Sequence, residues 1–166
     1  MTTRTSSGME SCTWSRRRRH VISVCPPTCS PLVPVARRRG LEFWSDGTGV
    51  YGPGDKNWRI PDISLSRPEH ASARGLETAE LVVEVLSPDD ESRQKLPYYA
   101  KIGIREVWLI DPTTRVIEIY TLVTDTYELV AFVNGVAMSP CLGITLSVVA
   151  GPRLRLADID GTISDV

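Results

Sequence analysis

Apolar and polar residues alternate with a period of two over much of the chain after residue 41, whereas the first forty positions show no such period. Alternation of that kind marks strands with one or both faces covered. Thr48-Gly-Val-Tyr predicts a weak strand near 47–52 and Trp58 to Leu65 a better one, with Pro61 near its start. Leu81-Val-Val-Glu-Val-Leu86 is a strong strand. Ser87-Pro88-Asp89-Asp90 resembles a helix start, but Pro97 would interrupt a helix running on from it. The pattern therefore predicts a turn to about Gln94, then a short helix from Lys95 to Ile102 with Pro97 in its first turn and Gly103 as its cap. Glu106 to Ile110 is a strand, Asp111-Pro-Thr-Thr a turn, and Arg115 to Leu122 pairs back as a hairpin. Tyr127 to Val133 and Gly143 to Val148 extend the sheet. The predicted fold class is α/β, a mixed central sheet with few helices.

Charge divides the chain where the periodicity begins. Residues 1–40 hold eight arginines, no lysine and one acid, a surplus of seven positive charges. Residues 41–166 hold eleven Lys+Arg against nineteen acids, a deficit of eight. The first segment, rich in Arg, Pro and Ser, has the composition of disorder. The expected organisation is a disordered segment over 1–40, a domain over 41–150 and a tail over 151–166. The Arg/Pro/Ser/Cys mix also fits out-of-frame reading of a GC-rich gene, which translating the other two frames would test.

No stretch approaches the ~18–20 apolar residues of a membrane-spanning helix, so no membrane partner is expected. After Leu41 there is one cysteine, Cys141, which excludes a disulfide framework and points to a reducing cytoplasm. The two histidines, His20 and His70, lie beside no nucleophile. Cys12, His20, Cys25 and Cys29 have irregular spacing for a zinc site, and Pro26 and Pro27 leave it no scaffold. Gly47-Thr-Gly-Val-Tyr-Gly52 matches a dinucleotide fingerprint in spelling only, because Pro53-Gly54-Asp55 prevents the helix that the fingerprint requires. It reads as a glycine-rich turn.

What remains is carboxylate and lysine chemistry. Glu84 interrupts the apolar strand and shares a face with Val82 and Leu86, so it needs a cation, a donor or water, unless that strand is an edge. Asp62 stands at the entry of the preceding strand. Lys95 begins the helix that follows, and Tyr99 is one turn on along the same helix face. Two carboxylates on neighbouring strands with a lysine beside them are the parts of a metal-dependent phosphodiesterase site.

The runs that carry these residues are Pro61-Asp62, Glu80-Leu-Val-Val-Glu-Val-Leu-Ser-Pro88, Lys95-Leu-Pro-Tyr-Tyr-Ala-Lys-Ile-Gly-Ile104 and Glu106-Val-Trp-Leu-Ile-Asp-Pro112. They resemble the Uma-type restriction endonuclease family of the PD-(D/E)XK superfamily, over about residues 41–150. The resemblance implies a restriction-endonuclease-like fold and a metal-dependent endonuclease acting on DNA. It implies Mg²⁺ or Mn²⁺ held by Asp62, Glu84 and the carbonyl of Val85, with Lys95 as the catalytic lysine and Gln94 and Tyr99 behind them. In the superfamily's simplest form the lysine lies two residues after the glutamate, where this chain has Leu86; Lys95 matches a displaced lysine. Family analogy also implies a homodimer. The family's core opens with a helix, and residues 1–40 are expected to lack it. The competing reading is an inactive nuclease-fold protein that binds nucleic acid or protein. The basic residues Arg93, Lys95, Lys101 and Arg105 are expected to rim the site against the acidity of the domain.

Overall fold

A computed structural model describes residues 31–166 apart from 46, 55, 88–90, 115, 150–152 and 166. Six strands form the central sheet, in the order β1 (Glu42–Ser45), β2 (Ile63–Ser66), β5 (Leu81–Val85), β6 (Glu106–Asp111), β7 (Val116–Val123) and β8 (Thr126–Leu129). A small hairpin, β3 (Ala71–Ser72) and β4 (Gly75–Leu76), falls between β2 and β5 in the chain. A second sheet holds β9 (Val136–Ser139), β10 (Ile144–Val149), β11 (Arg153–Ala157) and β12 (Ile163–Asp165). Among the described residues the α-helices are α1 (Leu32–Arg38) and α2 (Leu96–Lys101), the latter entered through a 3₁₀ turn at Ser92–Lys95.

Within the central sheet only β5 and β6 run parallel. A parallel pair needs a crossover, which the 3₁₀ turn and α2 supply. Pro97 is accommodated because it lies in the first turn of α2, where an N–H has no intrahelical acceptor. Gly103, at φ +75°, turns the chain out of the helix into β6. β5 is central rather than an edge, and all five of its residues are buried. Its period of two separates two apolar layers. Leu81 and Val83 join Trp108, Ile110, Ile119, α1 and the inner face of the second sheet. Val82 joins Val107, Leu109, Tyr99 and Ile102 beneath α2.

Several expectations are corrected. Leu32–Arg38 does form a helix, whose Leu32, Val35 and Ala36 are buried in the main core. Its prolines are compatible with helix: Pro31 is the N-cap and Pro34 the third residue, before any N–H needs an intrahelical acceptor. Arg37 and Arg38 occupy the last turn, where cations suit the helix dipole. The packed domain thus begins before Leu41. It also extends past residue 150, because β11 and β12 pair onto β10 and add Leu154 and Leu156 to the core. Arg38 and Arg39 both pair with Asp158, at 2.5 and 3.0 Å, tying α1 to the turn after β11. The strand expected near 47–52 is only a pair of isolated bridges from Val50, to Arg59 and to Leu76. The strand expected from Trp58 begins at Ile63, and the one expected to reach Val133 ends at Leu129. The arginine block at 16–19 and the cysteines at 12, 25 and 29 lie outside the described residues.

Glu106 is a second buried carboxylate. It accepts from the Trp108 indole at 2.5 Å and from the Cys141 backbone N–H at 2.8 Å. Burial pushes its pKa up, more than the hydrogen bonds from Ser139, Cys141 and Trp108 hold it down. The folded state therefore keeps this proton to higher pH than the unfolded chain does. Its stabilising effect is full below the ordinary glutamate value and is lost as pH rises through the raised one. Melting temperature measured against pH should fall across that window, and Glu106→Gln should flatten the slope. An unchanged slope in the variant would refute the assignment.

Candidate active site

Asp62 and Glu84 meet because β2 and β5 pair antiparallel with Ile63 opposite Val83. Continued by one position, that register sets Asp62 opposite Glu84, on the same face of the sheet. The Asp62 backbone N–H donates to the Val83 carbonyl at 3.1 Å, and its side-chain Oδ2 accepts the Val85 N–H at 2.7 Å. Asp62 is thus held by the strand that carries Glu84, while remaining partly exposed.

Glu84 is 0% exposed in the middle of the sheet. Three donors reach it from the crossover. Lys95 Nζ lies 2.7 Å from Oε2, Ser92 Oγ donates to the same oxygen at 3.3 Å, and the Tyr99 hydroxyl donates to Oε1 at 2.5 Å. Burial pushes the Glu84 pKa up, Lys95 and Tyr99 pull it down, and the charge of Asp62 adds to the upward shift. Tyr99, itself buried beside this carboxylate, is pushed far above the ordinary phenol range and stays a donor.

The sheet extends this row. Glu84 pairs with Leu109 on β6, and Leu109 with Glu118 on β7. Two strand spacings put Glu118 about 10 Å from Glu84. Glu118 takes a salt bridge from Arg93 and a hydrogen bond from Tyr120 at 2.6 Å. One turn of 3₁₀ helix therefore sends Ser92 and Lys95 to Glu84 and Arg93 to Glu118.

The structure brings Asp62, Glu84, Val85, Lys95 and Tyr99 together. Leu86, two residues after the glutamate, packs in the apolar layer under α2. Gln94 is exposed, and its backbone N–H bonds Glu91. Arg105 does not rim the site: with Arg67 it pairs to Glu80, just before β5. Ser92 was missed. Its only signal was its place one turn before Lys95 in a segment read as loop.

Among the described residues no cluster of three or more His, Cys, Asp or Glu side chains is arranged to hold a metal ion. The two carboxylates and the Val85 carbonyl are hard oxygen donors, the ligand type that Mg²⁺ and Mn²⁺ take. Lys95 and Tyr99 already meet both oxygens of Glu84, so an ion there would share or displace those contacts. The residues fit a divalent ion of that class. No helix among the described residues is long and apolar enough to cross a membrane.

No curated protein matches the chain. Among solved structures, a "putative nuclease belonging to DUF820" from Anabaena variabilis ATCC 29413 matches with a TM-score of 0.50 and 18% identity, covering 68% of this chain and 69% of that one. At that identity the likeness speaks for the fold, a mixed α/β sheet with few helices. The family model of Uma2, described as "Putative restriction endonuclease", matches residues 29–150, a span that takes in α1, Asp62, Glu84 and Lys95. The chain belongs to the Uma2 family.

Proposed function

We propose that the chain is a divalent-metal-dependent endonuclease that hydrolyses DNA phosphodiester bonds. The observation that carries this reading is Glu84: a carboxylate on the central strand, fully buried, with Asp62 opposite and Lys95 against it. Glu106 is buried too, but only Glu84 has a second carboxylate opposite and a lysine against it, the combination that marks a functional site.

In this reading Asp62, Glu84 and the Val85 carbonyl hold Mg²⁺ or Mn²⁺. When bound, such an ion lowers the pKa of a coordinated water and offsets phosphate charge. The chain's own residues do the rest. Tyr99 and Ser92 fix the rotamer of Glu84. The Val85 N–H fixes Asp62. Lys95 is partly exposed and bridges the buried carboxylate to solvent, where its ammonium can stabilise charge that builds on the phosphoryl oxygens.

One observation favours the second reading, an inactive nuclease-fold binding protein: both oxygens of Glu84 are already met by protein donors. Metal titration separates the two. At a free concentration of about 100 times Kd, a ligand that binds only the folded state adds about 2.7 kcal/mol. For a chain of this size that is a rise in Tm of about 5–10 °C. Mg²⁺ or Mn²⁺ should produce it in a thermal melt at matched ionic strength, and Asp62→Ala should abolish it. No shift together with no cleavage would establish the inactive reading instead. A cytoplasmic location and a homodimer belong to the same proposal; sedimentation at micromolar concentration tests the dimer.

A further inference from the structure

The glycine-rich stretch before β2 has no part in the carboxylate site, yet it builds something beside it. Gly49 and Gly75 lie against the ring of Tyr51. A Cβ on Gly75 would stand 2.5 Å from the Gly49 carbonyl oxygen and 2.7 Å from Tyr51 Cε2, and one on Gly49 would stand 3.1 Å from Cε2 of the same ring. Gly75 also has φ +135°, which side-chain-bearing residues rarely adopt. A side chain at Gly75 would clash with this ring, and one at Gly49 would crowd it.

That ring is the base of a stack. Trp58 lies 5.9 Å from Tyr51 between centroids, tilted 32°, and the Arg74 guanidinium sits 4.2 Å above the Tyr51 ring. Trp58 nevertheless remains 50% exposed. Arg59, next in the chain, covers the ring of Tyr98 at 4.7 Å, and exposed Lys56 adds a further cation to the loop. Tyr98 locks this loop to α2, its hydroxyl donating to the Asn57 carbonyl at 2.8 Å. The next residue, Tyr99, holds Glu84. The aromatic stack and the carboxylates are thus anchored by consecutive residues of one helix.

We propose that Tyr51, Trp58 and Arg74 form a stacking platform for an unpaired base of a DNA strand whose backbone passes the Asp62–Glu84 site. An aromatic face flanked by arginine and lysine suits this ligand, because every base offers a π-face and every nucleotide a phosphate. In an otherwise acidic domain, such a local cluster of cations is where a polyanion can approach. The inference rests on the nuclease reading for the direction of the strand, not for the platform itself.

The test is fluorescence anisotropy of a labelled single-stranded oligonucleotide and of the blunt duplex of the same sequence, in EDTA at fixed salt. Trp58→Ala should weaken single-strand binding about 5- to 150-fold, the scale of one base–aromatic stack. Trp58→Phe should restore most of it, and duplex binding should change far less. Equal single-strand binding by Trp58→Ala, equal losses on both substrates, or no single-strand binding by the unaltered protein would each overturn the platform. The nuclease reading fails separately. If Asp62→Ala cleaves normally while Trp58→Ala loses the single strand, the platform stands and the metal site falls.

Discussion

Asp62→Ala and Glu84→Gln are each expected to reduce metal-dependent DNA cleavage by at least about 10²-fold, the scale of removing one preorganised electrostatic element from a site. The geometry says why each should matter alone. Asp62 and Glu84 come from different strands and share a face only through the β2–β5 register, so neither can take over from the other. Glu84→Gln keeps the volume and a carbonyl oxygen for Tyr99, which isolates loss of charge from loss of packing. Lys95→Gln should give a different pattern: cleavage falls, while the rise in Tm with Mg²⁺ persists. Single-turnover cleavage of supercoiled plasmid, with melts alongside to verify folding, measures all three. Full activity in Asp62→Ala or Glu84→Gln would remove these carboxylates from the mechanism.

Leu32→Ala is expected to destabilise the protein by about 2–5 kcal/mol, the usual range for emptying a fully buried leucine site. The corresponding fall in Tm is about 4–20 °C. Leu32 is 0% exposed and packs with Leu65, Leu81 and Trp108 in the main cluster. Arg37→Ala, on the exposed side of the same helix, should stay within about 0.5 kcal/mol. Chemical denaturation of the two variants makes the comparison. Equal stability would mean that α1 contributes nothing to the core.

The sequence disclosed best what one period could express. Val82, Glu84 and Leu86 stood out as a face because a carboxylate between apolar neighbours breaks the pattern. The placement of Lys95 and Tyr99 followed from helix spacing. α1 was hidden by its prolines, although Leu32, Val35 and Ala36 have the spacing of an apolar helix face. β11 shows alternation in Arg153-Leu-Arg-Leu156, but a segment so short after Gly151-Pro152 carries little signal until β10 is there to receive it. Ser92 and the Tyr51–Trp58 stack lay beyond reach for a different reason. Their meaning depends on contacts across 8 residues in one case and on a ring set against a glycine 24 positions away in the other.

The burial of Glu84 has a consequence for folding fidelity, independent of any substrate. Both faces of β5 are covered by apolar layers, so a strand made only of Leu and Val would be nearly as content shifted by one position. A one-residue slip turns every side chain to the opposite face. For this strand it would drive the carboxylate in among Leu65, Trp108 and Ile110, away from the lysine, serine and tyrosine that α2 and its lead-in turn hold over the other layer. An unpaired charge there costs several kcal/mol, a large part of the total stability of a domain. The acid thus acts as a key cut for one alignment, and the chain that threads it correctly has brought Asp62, Lys95 and Tyr99 around Glu84 in the same step.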